Sequence, residues 1–347
     1  MRALGLVLVL LVAGCSVDPP HDDPTTAVPT PPITAAPTPT PAPTATPTPE
    51  PEPRTCARGV RYADVLGPRP RVVGRAAGPV LRKSRVAKAV CAAYWMPHLD
   101  DYFTPQSLEI SGNLAYVGGY KWSRNVSRRP CQIAVTDIRT GRVLAFVKKF
   151  QAPVYGPEPT YCRHAGGMEL TSQGLWVAEL ERLWLLDPAK LGKGDPVIRV
   201  WRLDRSVRGA TMLIHGDRLG FGSYRAASQG RLVWFDLADV LAPGRTLLKT
   251  PVAVQAVPVR LQGITSTAKG LWFSSSDAHC ANLDPPGSRP VTFVHGAEDV
   301  EIVGEDLWTV SEAGVRAYLH GRDRIVPSLL RLDKRAVLAG PAATCTW

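Results

Sequence analysis

Gly167-Met168-Glu169-Leu170-Thr171-Ser172-Gln173-Gly174-Leu175-Trp176-Val177 reads as a β-hairpin: two short alternating runs flank a turn containing glycine, and the second run opens on Leu-Trp. The same pattern recurs at residues 106–117, 210–221, 262–273 and 299–310, where Leu271-Trp272 and Leu307-Trp308 repeat the opening of the second run. With Leu108, Met168, Met212, Ile264 and Val300 as equivalent points, the separations are 60, 44, 52 and 36 residues, close to the length of a four-stranded propeller blade. A third strand ending in aspartate follows in Ile133-Ala134-Val135-Thr136-Asp137 and Leu232-Val233-Trp234-Phe235-Asp236, with an outer strand after it, as at residues 143–147. The expected fold is therefore all-β: a β-propeller of five four-stranded blades. Residues 55–105 lack the Gly-Leu-Trp hairpin and are read either as a sixth blade or as an N-terminal wrap across the closing seam. A sandwich does not require four-strand modules to recur, whereas each blade needs neighbours to bury both of its faces.

The sequence before the repeat is of another kind. Arg2 precedes an apolar run at residues 3–13 that is too short for a permanent membrane helix, which predicts a signal peptide over residues 1–14. Val12-Ala13-Gly14-Cys15 resembles the lipobox of bacterial lipoproteins, and that resemblance implies that Cys15 becomes a lipidated N-terminus tethering the chain to the outer face of a cell membrane. Residues 15–54 are dominated by Pro, Thr and Ala, as in Pro37-Thr38-Pro39-Thr40-Pro41. Such a stretch builds no core and is expected to act as an extended stalk with a reach of roughly 100 Å at about 3.1 Å per residue. Residues 55–347 are then the propeller domain.

Once Cys15 is set aside, Cys56, Cys91, Cys131, Cys162, Cys280 and Cys345 remain, an even number that suits three disulfides in an exported chain. Cys131 with Cys162 is expected to flank the junction of the first two blades, and Cys56 with Cys345 to join the chain ends. No CxxC pair occurs, which argues against a zinc ribbon. From residue 55 onward there are 39 basic and 25 acidic side chains, a net charge of +14. That balance suits an anionic envelope polymer or glycan, and scattered solvated arginines would give it equally well. No aromatic-and-basic motif points to nucleic acid.

At the level of blade pattern, residues 106–320 resemble bacterial secreted propellers of the SMP-30, NHL and phytase-like esterase groups. In those, a polar pair at the channel mouth precedes each inner strand. The matching positions are Pro105-Gln106, Gly166-Gly167 after His164, Arg208-Gly209, Gln262-Gly263 and Glu298-Asp299. The resemblance implies that these converge on one rim, together with the loops between second and third strands.

Three chemistries are open there. Glu298, Asp299 and Glu312, with His164 or Asp277, could hold a divalent cation such as calcium or act as a catalytic set; carboxylates at a channel mouth also serve as plain structural acceptors. Gln106, Trp122, His164, Arg208, Tyr224, Arg225, Gln262 and Asp277 could bind a ligand without catalysis, with Tyr120 and Tyr161 adding flat faces. Trp176, Trp272 and Trp308 repeat at one blade position and are expected in the core. Cys162-x-His164 or His279-Cys280 could form a redox or metal site, unless disulfide formation consumes the thiols. No G-x-S-x-G, H-E-x-x-H or P-loop occurs. Gln106 and Gln262 are amides and cannot replace the inner carboxylates of a five-bladed glycosidase, although Glu179 adds a candidate. The expected function is that of a monomeric, membrane-anchored binding or scaffold module for an extracellular or envelope ligand, whether polymer, glycan or protein. The alternative is a cation-dependent hydrolase of an ester, phosphoester or glycoside.

Overall fold

The structure, a computed structural model, describes residues 56, 59–74, 77–82, 84–277, 279–318 and 326–347. The expected signal peptide, Cys15 and the stalk lie outside the described residues.

Five antiparallel blades account for the sheets that surround the channel. Blade one runs Phe103–Ser111, Leu114–Lys121, Cys131–Asp137 and Arg142–Val147 from inside to outside. Blade two follows with Gly167–Thr171, Gly174–Ala178, Arg182–Leu186 and Val197–Leu203, edged by a short parallel strand Leu247–Leu248. Blade three is Thr211–His215, Arg218–Gly222, Gly230–Asp236 and Ala253–Val257. Blade four is Leu261–Thr267, Gly270–Ser276, Ala281–Asp284 and Val291–Thr292. Each inner strand packs beside the inner strands of both neighbouring blades, so the five close into a ring. The hairpin turns that announce the repeat all carry a glycine at positive φ (Gly112, Gly174, Gly216, Gly270 and Gly304), a backbone region that side chains with a Cβ rarely occupy.

Blade five resolves the choice left open for the N-terminal segment. Its first three strands are Ala297–Val303, Asp306–Ser311 and Leu329–Asp333, and its outer strand is Val90–Tyr94. The N-terminal segment is thus a wrap that finishes the last blade. Val73, Val80, Val86, Trp95, Met96 and Leu99 bury around that strand in the same apolar cluster as Trp308 and Leu330. Further clusters fill the junctions of blades one and two, two and three, and three and four. The core therefore lies between the blades, because a radial sheet must cover two faces. Trp176, Trp272 and Trp308 are all buried in it.

Disulfides join Cys131 to Cys162, Cys56 to Cys91 and Cys280 to Cys345. The expected Cys56–Cys345 bond between the chain ends is corrected: Cys91 lies on the seam strand and reaches Cys56, while Cys345 is held against blade four. Cys91 lies away from the channel mouth. The outer strand of blade five starts level with Leu332 and Leu307, at the end of the blade opposite the mouth.

Candidate functional site

The mouth is shaped by a backbone irregularity repeated around the ring. Pairing of inner and second strands skips one residue between Pro105 and Ser107, between Leu261 and Gly263, and between Ala297 and Asp299. The extra residues are Gln106, Gln262 and Glu298. Such a bulge re-aims a side chain that would otherwise sit in the ladder. In blades two and three the equivalent residues are Gly166 and Ala210, whose N–H groups still donate to Ala178 and Gly222 at 3.0 and 2.8 Å. The mouth therefore has two amides and a carboxyl on three sides and almost no side chain on the other two.

The amides are tied to acids. Gln106 Nε2 donates to Glu312 Oε2 at 3.0 Å, and Gln262 Nε2 donates to Glu298 Oε1 at 3.3 Å. The Tyr318 hydroxyl bonds Glu312 and lies 3.3 Å from the Tyr120 hydroxyl. Burial pushes the Glu312 carboxyl up to about 7, against the opposing pull of Gln106 and Tyr318. Burial and then the charge of Glu312 hold Glu298 well above the carboxylate range. Two acids this deeply buried and this close do not both ionise readily.

Two residues before each bulge residue, the rim positions are Thr104, His164, Arg208, Arg260 and Gly296. His164, Arg260 and Gly296 all take positive φ (94°, 57° and 68°), so the same kink leads into three inner strands and only one of them uses glycine for it. Arg163 Nη2 and Arg208 Nη1 share Glu181, at 2.7 and 3.2 Å. Arg260 pairs with Asp277 at 2.8 Å and lies over the Trp347 ring. A stack of cations and rings crosses the rim of blade one: Arg316 over Tyr102, Tyr102 against Trp122, Arg129 between Trp122 and Tyr120, and Tyr120 against His164. Burial, with help from Arg129, lowers the His164 imidazole to about 4, so it is neutral at physiological pH.

Below the mouth, Asp299 and three acids outside the expected site, Glu109, Glu169 and Glu301, link blade to blade. Asp299 Oδ2 accepts Leu108 N–H at 2.9 Å, Glu109 Oε2 accepts Leu170 N–H at 3.1 Å, and Glu169 accepts Ile214 N–H. Thr265 Oγ1 donates to Glu301 Oε2 at 3.5 Å. An innermost strand has no ladder partner on its channel side, and acceptors reaching from the preceding blade satisfy those amides. Burial raises Glu109 to about 7, and burial together with the charge of Glu109 raises Glu301 to about 8. Their signal was in the repeat, since Glu109, Glu169 and Glu301 each follow an equivalent apolar residue.

Of the residues expected at the site, Gln106, Gln262, Glu298 and Glu312 come together. Asp299 turns instead to the blade-five seam, where it also accepts Val300 N–H at 2.9 Å. His164, Arg208 and Trp122 occupy the rim. Asp277 is engaged with Arg260 and with the turn amides of His279 and Cys280. Tyr224 and Arg225 are solvent-exposed, and Tyr161 donates to Ser127 O. Glu179 forms a buried ion pair with Arg182 and accepts Arg163 N–H. Its carboxylate lies close to Cys131 and Cys162, but their sulfurs are bonded to each other and offer no thiolate to a metal.

No known protein family matches the chain, and no curated protein does. Solved structures that it resembles include BamB from Moraxella catarrhalis (13% identity, TM-score 0.28, 66% of this chain and 57% of that one). The WD40 domain of Neurospora crassa Pan2 shows 10% identity and a TM-score of 0.34 over 72% and 68% of the two chains. A nidogen/laminin complex shows 12% identity and a TM-score of 0.33 over 73% and 87%. The chain spans 57% of the length of BamB and 59% of that of Chaetomium thermophilum Sqt1.

Proposed function

We propose that this chain is an exported, lipid-anchored propeller that acts as a binding module for an extracellular or cell-envelope ligand taken at the channel mouth. The observation that carries this reading is the convergence of Gln106, Gln262, Glu298 and Glu312 at one end of the ring. Three disulfides suit an oxidising compartment. Among the described residues no helix is long and apolar enough to cross a membrane, and the lipobox-like Val12-Ala13-Gly14-Cys15 supplies the proposed anchor. The test is co-sedimentation of the full chain in detergent with isolated cell envelopes. Retention that drops at least fivefold for the pair Gln106→Ala and Gln262→Ala supports the reading, and retention unchanged by those substitutions sinks it. Cys15→Ser should release the chain from the membrane fraction.

A cation-dependent hydrolase is the second reading, favoured by the acids Glu298 and Glu312 at the mouth, where the charge of Glu312 opposes ionisation of Glu298. A calcium titration followed by thermal melting decides it: a midpoint raised by calcium and no longer raised in Glu298→Gln supports a cation centre, and no response removes it.

A further inference from the structure

The outermost strand of a blade leaves one row of N–H and C=O groups without a ladder partner, and this chain covers or charges that edge in every blade but one. Blade two is edged by the parallel strand Leu247–Leu248. Along the outer strand of blade five, Leu66 N–H donates to Ala93 O at 3.0 Å and Leu66 O accepts Trp95 N–H at 2.8 Å. The C-terminal segment serves blade four, where Thr292 N–H donates to Pro341 O and Ala343 N–H to Pro290 O, both at 3.0 Å. Blade one ends on Arg142–Val147, bounded by exposed Arg142, Lys148 and Lys149, and like charges keep copies of such an edge apart.

Blade three is the exception. Its outer strand lies in Pro251-Val252-Ala253-Val254-Gln255-Ala256-Val257-Pro258, a run without a charged residue. Ser223 N–H donates to Arg231 O at 2.8 Å, so Arg231 turns its backbone to the second strand and Leu232, next to it, turns to the outer one. Leu232 stands opposite Gln255. Val254 and Ala256, on either side of Gln255, therefore point their N–H and C=O out of the blade, and nothing among the described residues bonds them from there. Val252, Val254 and Ala256 share one face of the strand, and Val252 and Val254 are 49% and 53% exposed. Val252 also borders a groove lined by Phe235, Val240 and Leu248 and by equal numbers of acids and bases, Asp236 and Asp239 with Arg245 and Lys249.

We infer that blade three carries a self-pairing edge: its outer strand adds, antiparallel and about a two-fold axis through Gln255, to the same strand of a second copy of this chain. A second copy is the occupant because the strip complements itself. In that register Val254 stands opposite Ala256 of the partner subunit, a larger side chain against a smaller one, and the two exchange the hydrogen bonds that each lacks. The net charge of +14 from residue 55 onward repels a copy elsewhere, whereas this strip is uncharged and the groove beside it is balanced. Pro251 and Pro258 have no N–H to donate and end the pairing on both sides. A two-fold contact consumes the same edge on both chains, so assembly stops at two. Pairing at the outer rim leaves each channel mouth free, and it does not depend on the binding-module reading.

The experiment is cysteine cross-linking of the full chain in detergent. Gln255→Cys puts a thiol on the axis, where the facing Cα atoms of a non-hydrogen-bonded pair stand about 4.5 Å apart, within disulfide reach. Mild oxidation should give at least tenfold more covalent homodimer from Gln255→Cys than from Val303→Cys, a control thiol at an exposed position of blade five. Adding Val254→Lys should cut that yield at least tenfold, and Ala256→Lys takes its place if Val254→Lys does not fold. Sedimentation equilibrium in density-matched detergent should give a two-chain mass for the unsubstituted chain and a one-chain mass for Val254→Lys. Equal yields from Gln255→Cys and Val303→Cys overturn the proposal, as does a yield that survives both lysines. A one-chain mass of the unsubstituted chain at every concentration overturns it too. In isolated envelopes, a Gln255→Cys adduct to another protein in place of the homodimer overturns self-pairing and makes the edge a docking strand for a foreign chain.

Discussion

Asp299 on the inner strand of blade five accepts the Leu108 backbone N–H of blade one at 2.9 Å, so one carboxyl bridges the seam where the ring closes. Its other oxygen accepts Val300 N–H, also at 2.9 Å. Asp299→Ala should cost about 2–3 kcal/mol, because two buried amides lose their acceptor. Asp299→Asn should cost about 1–2 kcal/mol, because its NH2 faces one of those donors. Equilibrium urea unfolding measures both, and a destabilisation of Asp299→Ala below 0.5 kcal/mol would contradict the bridge.

Stability should fall as pH rises from about 4.5 to 8. Burial raises Glu109 and Glu312 to about 7 and Glu301 to about 8 in the folded chain, whereas unfolded glutamates ionise near 4.3. The folded state therefore holds protons that the unfolded state has already released, and stability declines across that window until the folded groups ionise too. Each unit of upward displacement is worth about 1.4 kcal/mol per group, as an upper bound. Unfolding free energies at pH 5 and pH 8.5 test the sign, and the double substitution Glu109→Gln with Glu301→Gln should flatten the slope.

Arg182 and Glu179 form an ion pair that is almost completely buried, at 2% and 1% side-chain exposure. Arg182→Met should destabilise by about 3–5 kcal/mol, because it strands the Glu179 carboxylate beside the Cys131–Cys162 disulfide. Adding Glu179→Leu should recover most of that loss. A double variant as unstable as the single one would show that the cost is packing and not unpaired charge.

The Cys56–Cys91 bond closes a separation of 35 residues and anchors the strand that completes blade five. Cys56→Ser with Cys91→Ser should lower stability by about 4 kcal/mol on loop-entropy grounds. Amide hydrogen exchange over residues 90–94 should accelerate well before the rest of the ring, and uniform acceleration would mean that the seam strand is not a separate unit.

The five hairpins were legible because glycine, leucine and an aromatic residue recur in phase, and a propeller is what radial sheets with two apolar faces require. The closing strand was not: Val90-Cys91-Ala92-Ala93-Tyr94 has no clear alternation, and its partner Leu329–Asp333 lies some 240 residues further on. The polar pairs Pro105-Gln106, Gln262-Gly263 and Glu298-Asp299 marked the mouth. Which member is extruded depends on the residue count of the facing strand, and that is a property of pairing and not of either segment. Positive φ at His164 and Arg260 was hidden for a similar reason, since only Gly296 carries the residue that advertises it. Glu109, Glu169 and Glu301 take the polar positions of alternating strands, the half that an open sheet turns to water. In a closed ring that half faces the next blade.

Joining Val90–Tyr94 to Leu329–Asp333 gives this domain a contact of very long range, and contacts of long range slow folding. A chain that emerges from its N-terminus presents the seam strand first and the strand that receives it nearly last. Blades one to four can assemble in order as they appear, but the fifth stays open at its rim until the final stretch arrives. Closure is then the last and slowest event in the life of the nascent chain, and the interval before it is when the exposed edge of blade five is most open to pairing with a stranger.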